Sequence, residues 1–304
     1  MVKPNLKVKI AGLELKNPVL VASGTFGSGE EYGKLVDLNK LGAIVTKSVT
    51  LEPREGNVPP RVVETPSGML NSIGLQNYGI DAFIKDKLPF LNKVKTAVIV
   101  SIAAHRVEDY AAIAGKLDKI KRVDAIEINI SCPNVKGGLE FAREPGSTAA
   151  VVGAVRRASR KPVIVKLSPN VKDITEIAMA AENAGADAVS LVNTFTGMAI
   201  DIDTKRPVLG NIIGGLSGPA IKPVALRMVW ETAKKVKIPV IGIGGIMNYE
   251  DAVEFIIAGA SAVQVGTANF VNPKAAADII SGMEKYMRQG KIKNIKELTG
   301  CLKT

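Results

Sequence analysis

The chain has 304 residues, 46% of them hydrophobic, and a formal charge of +11, enough for one barrel-sized domain spanning 1–304. No apolar run reaches the roughly 18 residues of a membrane span, and the lysine-interrupted start does not read as a signal peptide, so a cytoplasmic protein without a membrane anchor is expected. Two cysteines and one histidine exclude a disulfide framework and a histidine-built metal centre, while basic residues scattered through helical segments and aromatics at 4% favour a solvated surface over a nucleic-acid track.

Eight short, apolar, β-branched runs follow in order, at 18–22, 43–47, 97–102, 125–130, 162–167, 188–192, 239–243 and 262–265. Most precede a segment with apolar residues at three- and four-residue spacing, at 107–120, 147–159, 174–183, 221–235, 249–257 and 273–287, which predicts helices. Near-continuous apolar strands alternating with amphipathic helices make a parallel sheet covered by helices, and eight such units close into an α/β fold, the (β/α)8 barrel. A weak repeat agrees: Ala184-Gly185-Ala186-Asp187-Ala188-Val189 returns as Ala258-Gly259-Ala260-Ser261-Ala262-Val263, with an echo at Leu41-Gly42-Ala43-Ile44-Val45. In each copy glycine suits a left-handed helix stop before a strand. Long Gly-, Pro- and Ser-rich excursions at 50–77 and 194–219, with the loop after the fourth run, place insertions after strands 2, 4 and 6, on the face where barrels carry their chemistry.

The fourth run breaks into Ser131-Cys132-Pro133-Asn134-Val135-Lys136-Gly137-Gly138, leaving a thiol at a strand's carboxyl end. An ordinary thiol titrates near about pH 8.5, within reach of proton transfer at neutrality once tuned. Asn129 and Asn134 carry donors and acceptors able to hold a flat polar substrate against it; the alternative is a buried structural cysteine. Other strand ends contribute Ser23, Lys47 with Ser48, Ser101, Lys166, Asn193 with Thr194, Gly244 with Gly245, and Gly266 with Thr267. A lysine ending an apolar strand is costly without an anion, which singles out Lys47 and Lys166. Glycine turns after the seventh and eighth strands, with Gly218 before them, expose backbone N–H groups, and a helix start after such a turn adds to a phosphate site; the alternative is a pair of tight turns. No Gly-x-Gly-x-x-Gly fingerprint is present, which argues against a Rossmann nucleotide site. His105 is expected at the surface, and Cys301 lies in a lysine-rich tail without a catalytic role.

Taken together, Asn129-x-Ser131-Cys132-Pro133-Asn134, Thr46-Lys47-Ser48, Asn71-Ser72-Ile73-Gly74-Leu75, Val165-Lys166-Leu167-Ser168-Pro169-Asn170, Val192-Asn193-Thr194 and the two glycine turns resemble, across nearly the whole chain, the FMN-containing dihydroorotate dehydrogenases of pyrimidine synthesis. The resemblance implies a (β/α)8 barrel with FMN at its mouth and dihydroorotate against the flavin, Cys132 being the catalytic base. It implies FMN contacts from Ser23, Lys47, Ser48, Ser101, Asn129, Lys166, Val192, Gly218, Gly244, Gly245, Gly266 and Thr267. It implies a substrate site from Lys47, Asn71, Ser72, Ile73, Gly74, Leu75, Asn129, Asn134, Asn193 and Thr194. Ser101 departs from the asparagine usual in the family, and its shorter hydroxyl is expected to need a water to reach the flavin. A cysteine base, and no proline after Val135, resemble the soluble NAD-linked branch. That branch implies a homodimer joined to a separate FAD and 2Fe–2S electron-transfer subunit in a heterotetramer; this chain has no cysteine set for such a cluster. The alternatives are the fumarate-reducing branch, a tRNA-uridine-reducing flavin barrel and a non-catalytic phosphate-binding barrel.

Overall fold

A computed structural model describes residues 3–130, 141 and 143–303. Eight strands form the closed barrel: β1 (Val19–Val21), β2 (Ala43–Val45), β3 (Ala97–Ile102), β4 (Ala125–Asn129), β5 (Val163–Lys166), β6 (Ala188–Leu191), β7 (Val240–Ile243) and β8 (Ala262–Val265). Each pairs in parallel with its neighbours in sequence, and β8 closes on β1. The expected runs match these strands to within two residues at each end. Their largely apolar character has a direct cause: β1, β2, β5, β6, β7 and β8 are buried at every position, one face filling the barrel and the other meeting helices.

The surrounding helices bury single stripes. In Val107–Asp118 the buried residues are Tyr110, Ile113, Ala114 and Leu117, the three- and four-residue spacing that keeps one face toward the sheet. Helix Ile174–Asn183 begins at Asp173, whose side chain accepts from Thr175 N at 2.8 Å, and stops as the repeat predicts. Gly185 takes φ +100, with its N–H on Glu182 O at 3.0 Å and that of Ala186 on Ala181 O at 3.0 Å. Gly259 repeats the arrangement at φ +120, with bonds to Ile256 O and Phe255 O, the paired closure of a left-handed helix stop. Gly42 does not share that geometry. A Cβ there would lie 2.3 Å from Asn17 O, so this copy of the repeat keeps glycine for close packing of the chain instead.

Two features depart from strict strand–helix alternation. Val8–Ile10 and Leu13–Leu15 pair as an antiparallel hairpin that buries Ile10 and Leu15. The second feature positions the site. The excursions after β2 and β6 are not irregular loops but supply a four-stranded antiparallel sheet, ordered Phe195–Met198, Ile213–Ser217, Gly68–Asn71, Val62–Thr65. Asn71 lies opposite Gly215 across this sheet, and a Cβ on Gly68 would lie 2.0 Å from Ser217 O, so the two excursions meet backbone to backbone. The third expected insertion, after β4, is outside the described residues apart from Phe141 and the residues from 143. Among the described residues no helix is long and apolar enough to cross a membrane.

Candidate active site

A cavity of about 230 Å3 opens at the carboxyl ends of the strands, roofed by the antiparallel sheet. Lining it are Ser23, Lys47, Ser48, Asn71, Ile73, Gly74, Leu75, Asn129, Lys166, Val192, Asn193, Thr194, Gly218, Gly244, Gly245, Gly266 and Thr267. These expected site residues, spread over nearly the whole chain, are brought together by the strand ends and the roof. Cys132 and Asn134 lie outside the described residues. Two expected contacts differ. Ser72 is fully buried behind the roof, where its hydroxyl accepts from Asn57 Nδ2 at 2.8 Å and its N–H meets Arg61 O at 2.7 Å. Ser101 is also fully buried and does not line the cavity; its hydroxyl lies 2.9 Å from Ser48 Oγ. Both supported the cavity wall in sequence by motif position, which cannot tell a lining side chain from the one behind it.

The side walls form a connected polar set. Ser48 Oγ also meets Ser23 Oγ at 3.2 Å and receives Asn129 Nδ2 at 3.3 Å, while Asn193 Nδ2 donates to Asn129 Oδ1 at 3.3 Å. Tyr110 fixes the end of β4 by donating to Asn129 O at 2.8 Å, its ring edge-on to Phe141. Asn170 holds the loop beyond β6: it donates to Thr194 O at 3.0 Å and accepts from Thr196 N at 3.0 Å. Lys166 is buried and Lys47 half-buried. Burial pushes the Lys47 ammonium below its ordinary range, nearby positive Arg61 lowers it further, and Glu31 opposes both. An anionic group at the cavity would relieve that penalty.

At the opposite end, the backbone N–H groups of Gly244, Gly245, Gly266 and Thr267 donate to no acceptor among the described residues. Gly245 takes φ +69, and a Cβ would lie 2.8 Å from Gly218 O and 2.9 Å from Lys222 N, so glycine is required by the packing of the turn as well as by its conformation. The two helix starts that follow these turns differ. The N-terminus of Tyr249–Ile257 is capped from within the chain, since Asn248 Oδ1 accepts from Asp251 N at 2.9 Å and Asp251 Oδ2 accepts from Met247 N at 2.8 Å. After β8 the four-residue helix Ala268–Val271 starts directly from Thr267, its N-cap. The turn amides, with that of Thr267 at the start of this short helix, make this a fit for phosphate.

Sequence reasoning passed over the layer below. Fully buried Glu127 on β4 accepts from Gln264 Nε2 at 2.8 Å and from Ser190 Oγ at 3.2 Å, and Gln264 lines the cavity. The signal was present, because each is a polar residue inside an apolar strand. Met69, Val62 and Phe270 add apolar wall and carried no such signal. His105 is partly exposed, bonded to Arg54 and outside the cavity, with burial and that arginine lowering its proton affinity. Cys301 is exposed, and among the described residues no three His, Cys, Asp or Glu side chains gather as a metal site.

Amide donors for an anion at one end, buried cations and amides at the other, and a wall deep enough for a planar ring define a (β/α)8 barrel of the enzyme class. Comparison with known proteins narrows the class. The family model described as dihydroorotate dehydrogenase matches residues 5–287. The chain is 58% identical over 304 residues to the protein named dihydroorotate dehydrogenase B (NAD(+)), catalytic subunit, of Geotalea daltonii, covering all of both chains. Likewise it is 60% identical over 301 residues to that of Trichlorobacter lovleyi, covering 99% of each, and 59% identical over 300 residues to that of a Thermoanaerobacter species, covering 98% of this chain and 99% of the relative. The chain belongs to the dihydroorotate dehydrogenase family.

Proposed function

We propose that the chain is a single-domain catalytic subunit that oxidises dihydroorotate to orotate in pyrimidine synthesis, with electrons leaving through a partner subunit to NAD. The observation that supports it most is one cavity uniting Lys47 with the amides of Asn71, Asn129 and Asn193, a set suited to a small, flat, anionic pyrimidine. The full-length relatives named as NAD-linked catalytic subunits favour the same reading.

In this reading the amides of Gly244, Gly245, Gly266 and Thr267 would hold the phosphate of FMN, and Ser23, Ser48, Asn129, Val192 and Lys166 would line its ring. Bound there, FMN supplies a hydride acceptor. The residues of the chain do the rest. Lys47 and the asparagines fix the substrate carboxylate and amide edges, and the roof residues Ile73 to Leu75 exclude water. Cys132 takes the proton from the substrate carbon next to the carbonyl, and the electron pair of that carbon–hydrogen bond becomes the ring double bond as the adjacent ring carbon gives up its hydrogen as hydride to the acceptor. Lys166 provides positive charge where negative charge grows. Two copies of the chain with two FAD and 2Fe–2S subunits make the working assembly, in the cytoplasm.

The test is anaerobic mixing of the purified chain with dihydroorotate. Bleaching of bound flavin without NAD reduction, and NAD reduction once the partner subunit is added, is the expected result. Efficient NAD reduction by the chain alone, or rapid turnover with fumarate, would overturn the assignment of the acceptor; an absent flavin spectrum would overturn the enzyme reading.

A further inference from the structure

Ser48 Oγ has three partners: Ser101 Oγ at 2.9 Å, Ser23 Oγ at 3.2 Å and Asn129 Nδ2 at 3.3 Å. A hydroxyl offers one proton and two lone pairs, so these bonds use its whole capacity. Their directions follow by accounting. The amide nitrogen of Asn129 can only donate, which fills one lone pair of Ser48. Ser101 is fully buried, and Ser48 Oγ is the one acceptor its hydroxyl reaches among the described residues. If Ser48 donated to Ser101, the Ser101 proton would be buried without a partner, a larger penalty than an ordinary hydrogen bond repays. Ser101 therefore donates and fills the second lone pair, and the Ser48 proton passes to Ser23. Ser23 lines the cavity and has its own proton left to offer there.

We propose that Ser101 is a positioning residue that never touches the ligand but fixes the direction Ser101 to Ser48 to Ser23, so that Ser23 presents a hydrogen-bond donor to an acceptor atom of the cofactor. The inference rests on the reading of the cavity as an FMN site. It gives a physical meaning to the departure at this position. A side chain as short as serine ends on Ser48, behind the wall, and acts on the cavity through two hydroxyls rather than through a water.

The experiment titrates apo-protein with FMN, following flavin fluorescence, and measures the visible spectrum of the bound flavin. It compares the parent, Ser101→Ala, Ser48→Ala and the double variant. Ser101→Ala is expected to weaken FMN about 3- to 10-fold, the worth of one ordinary hydrogen bond, and to shift the flavin absorption band, because Ser23 can then turn its proton back to Ser48. Ser101→Cys, nearly the same size with a weaker donor, should fall between parent and alanine, and serves in its place should the alanine variant not fold. In the Ser48→Ala background the Ser101 substitution should add nothing. Unchanged affinity and spectrum in Ser101→Ala, or an equal effect with and without Ser48, would overturn the proposal alone. A parent chain that binds no FMN would overturn the cofactor reading and the proposal with it.

Discussion

Asn77 closes the first excursion, and its replacement by alanine should loosen the roof of the site before it harms the barrel. Its Oδ1 accepts from Gly79 N at 2.8 Å and Thr50 N at 3.2 Å, and its Nδ2 donates to Thr50 Oγ1 at 2.8 Å and Leu75 O at 2.7 Å. Each bond contributes about 0.5–1.5 kcal/mol net, and alanine would also leave the buried N–H groups of Thr50 and Gly79 without this acceptor. Bonds made by one side chain do not add fully, so the expected loss is about 2–4 kcal/mol. For a chain of this size that corresponds to a fall of roughly 3–6 °C in melting temperature. Leu75 and the preceding Gly74 hold left-handed conformations, φ +59 and +72, at the cavity wall. With Leu75 O released, the dihydroorotate KM should rise about tenfold by depleting the binding-competent loop. FMN affinity should change less than about threefold, because the amides proposed for its phosphate lie in the turns after β7 and β8 and share no bond with Asn77. Hydrogen exchange across 50–79, melting temperature and the two affinities are the measurements. A melting temperature within about 1 °C of the parent with unchanged exchange, or equal losses of FMN and substrate affinity, would refute the reasoning.

Cys132→Ala should keep FMN and the flavin spectrum yet lose at least about a hundredfold in stopped-flow flavin reduction; a variant as fast as the parent at every pH would remove Cys132 from the proton step. Lys47 provides a pH test. Its proton affinity is lowered by burial and by Arg61, so it loses its charge at a lower pH than a free lysine, and orotate affinity should decline as pH rises through that lowered value. Lys47→Arg stays charged throughout, so an identical alkaline decline in that variant would assign it to another group. Lys166→Ala should shift the flavin midpoint potential more than Lys47→Ala does, while Lys47→Ala should weaken orotate more; equal effects of both on both quantities would defeat the division of roles.

The barrel was legible because its physical cause is local. A strand buried on both faces is apolar over most of its length, as β5 is from Val163 to Val165, and a lysine that ends the run, such as Lys166, marks the strand's mouth. The helix stops at Gly185 and Gly259 were legible for the same reason. The roof was not. Gly68–Asn71 and Ile213–Ser217 contain glycine and little alternation, and what makes them strands is each other, across the interval between Asn71 and Gly215. Depth was equally hidden. Asn129 and Glu127 stand two residues apart on one strand, but only the first lines the cavity, while Ser48 and Ser101 read alike in sequence and lie one behind the other. Motif position brings residues to the same end of the barrel without ordering them along its radius.

The roof's construction also bears on the order in which the molecule is made. Asn71 Nδ2 reaches Gly215 O across 144 residues of chain, so the hairpin of Val62–Thr65 with Gly68–Asn71 leaves the ribosome long before the strand that completes it. Until the segment after β6 emerges, the outer edge of that hairpin is unpaired, a state open to association with other chains. Closing so long a loop early would carry a large entropic penalty before any contact offset it. Assembly of the lower barrel first removes most of that penalty, because β2 and β6 then hold the roots of the two excursions in place. On this order the cavity would be among the last parts of the molecule to form, and pulse-labelled hydrogen exchange during refolding should protect the barrel strands before 62–71 and 213–217.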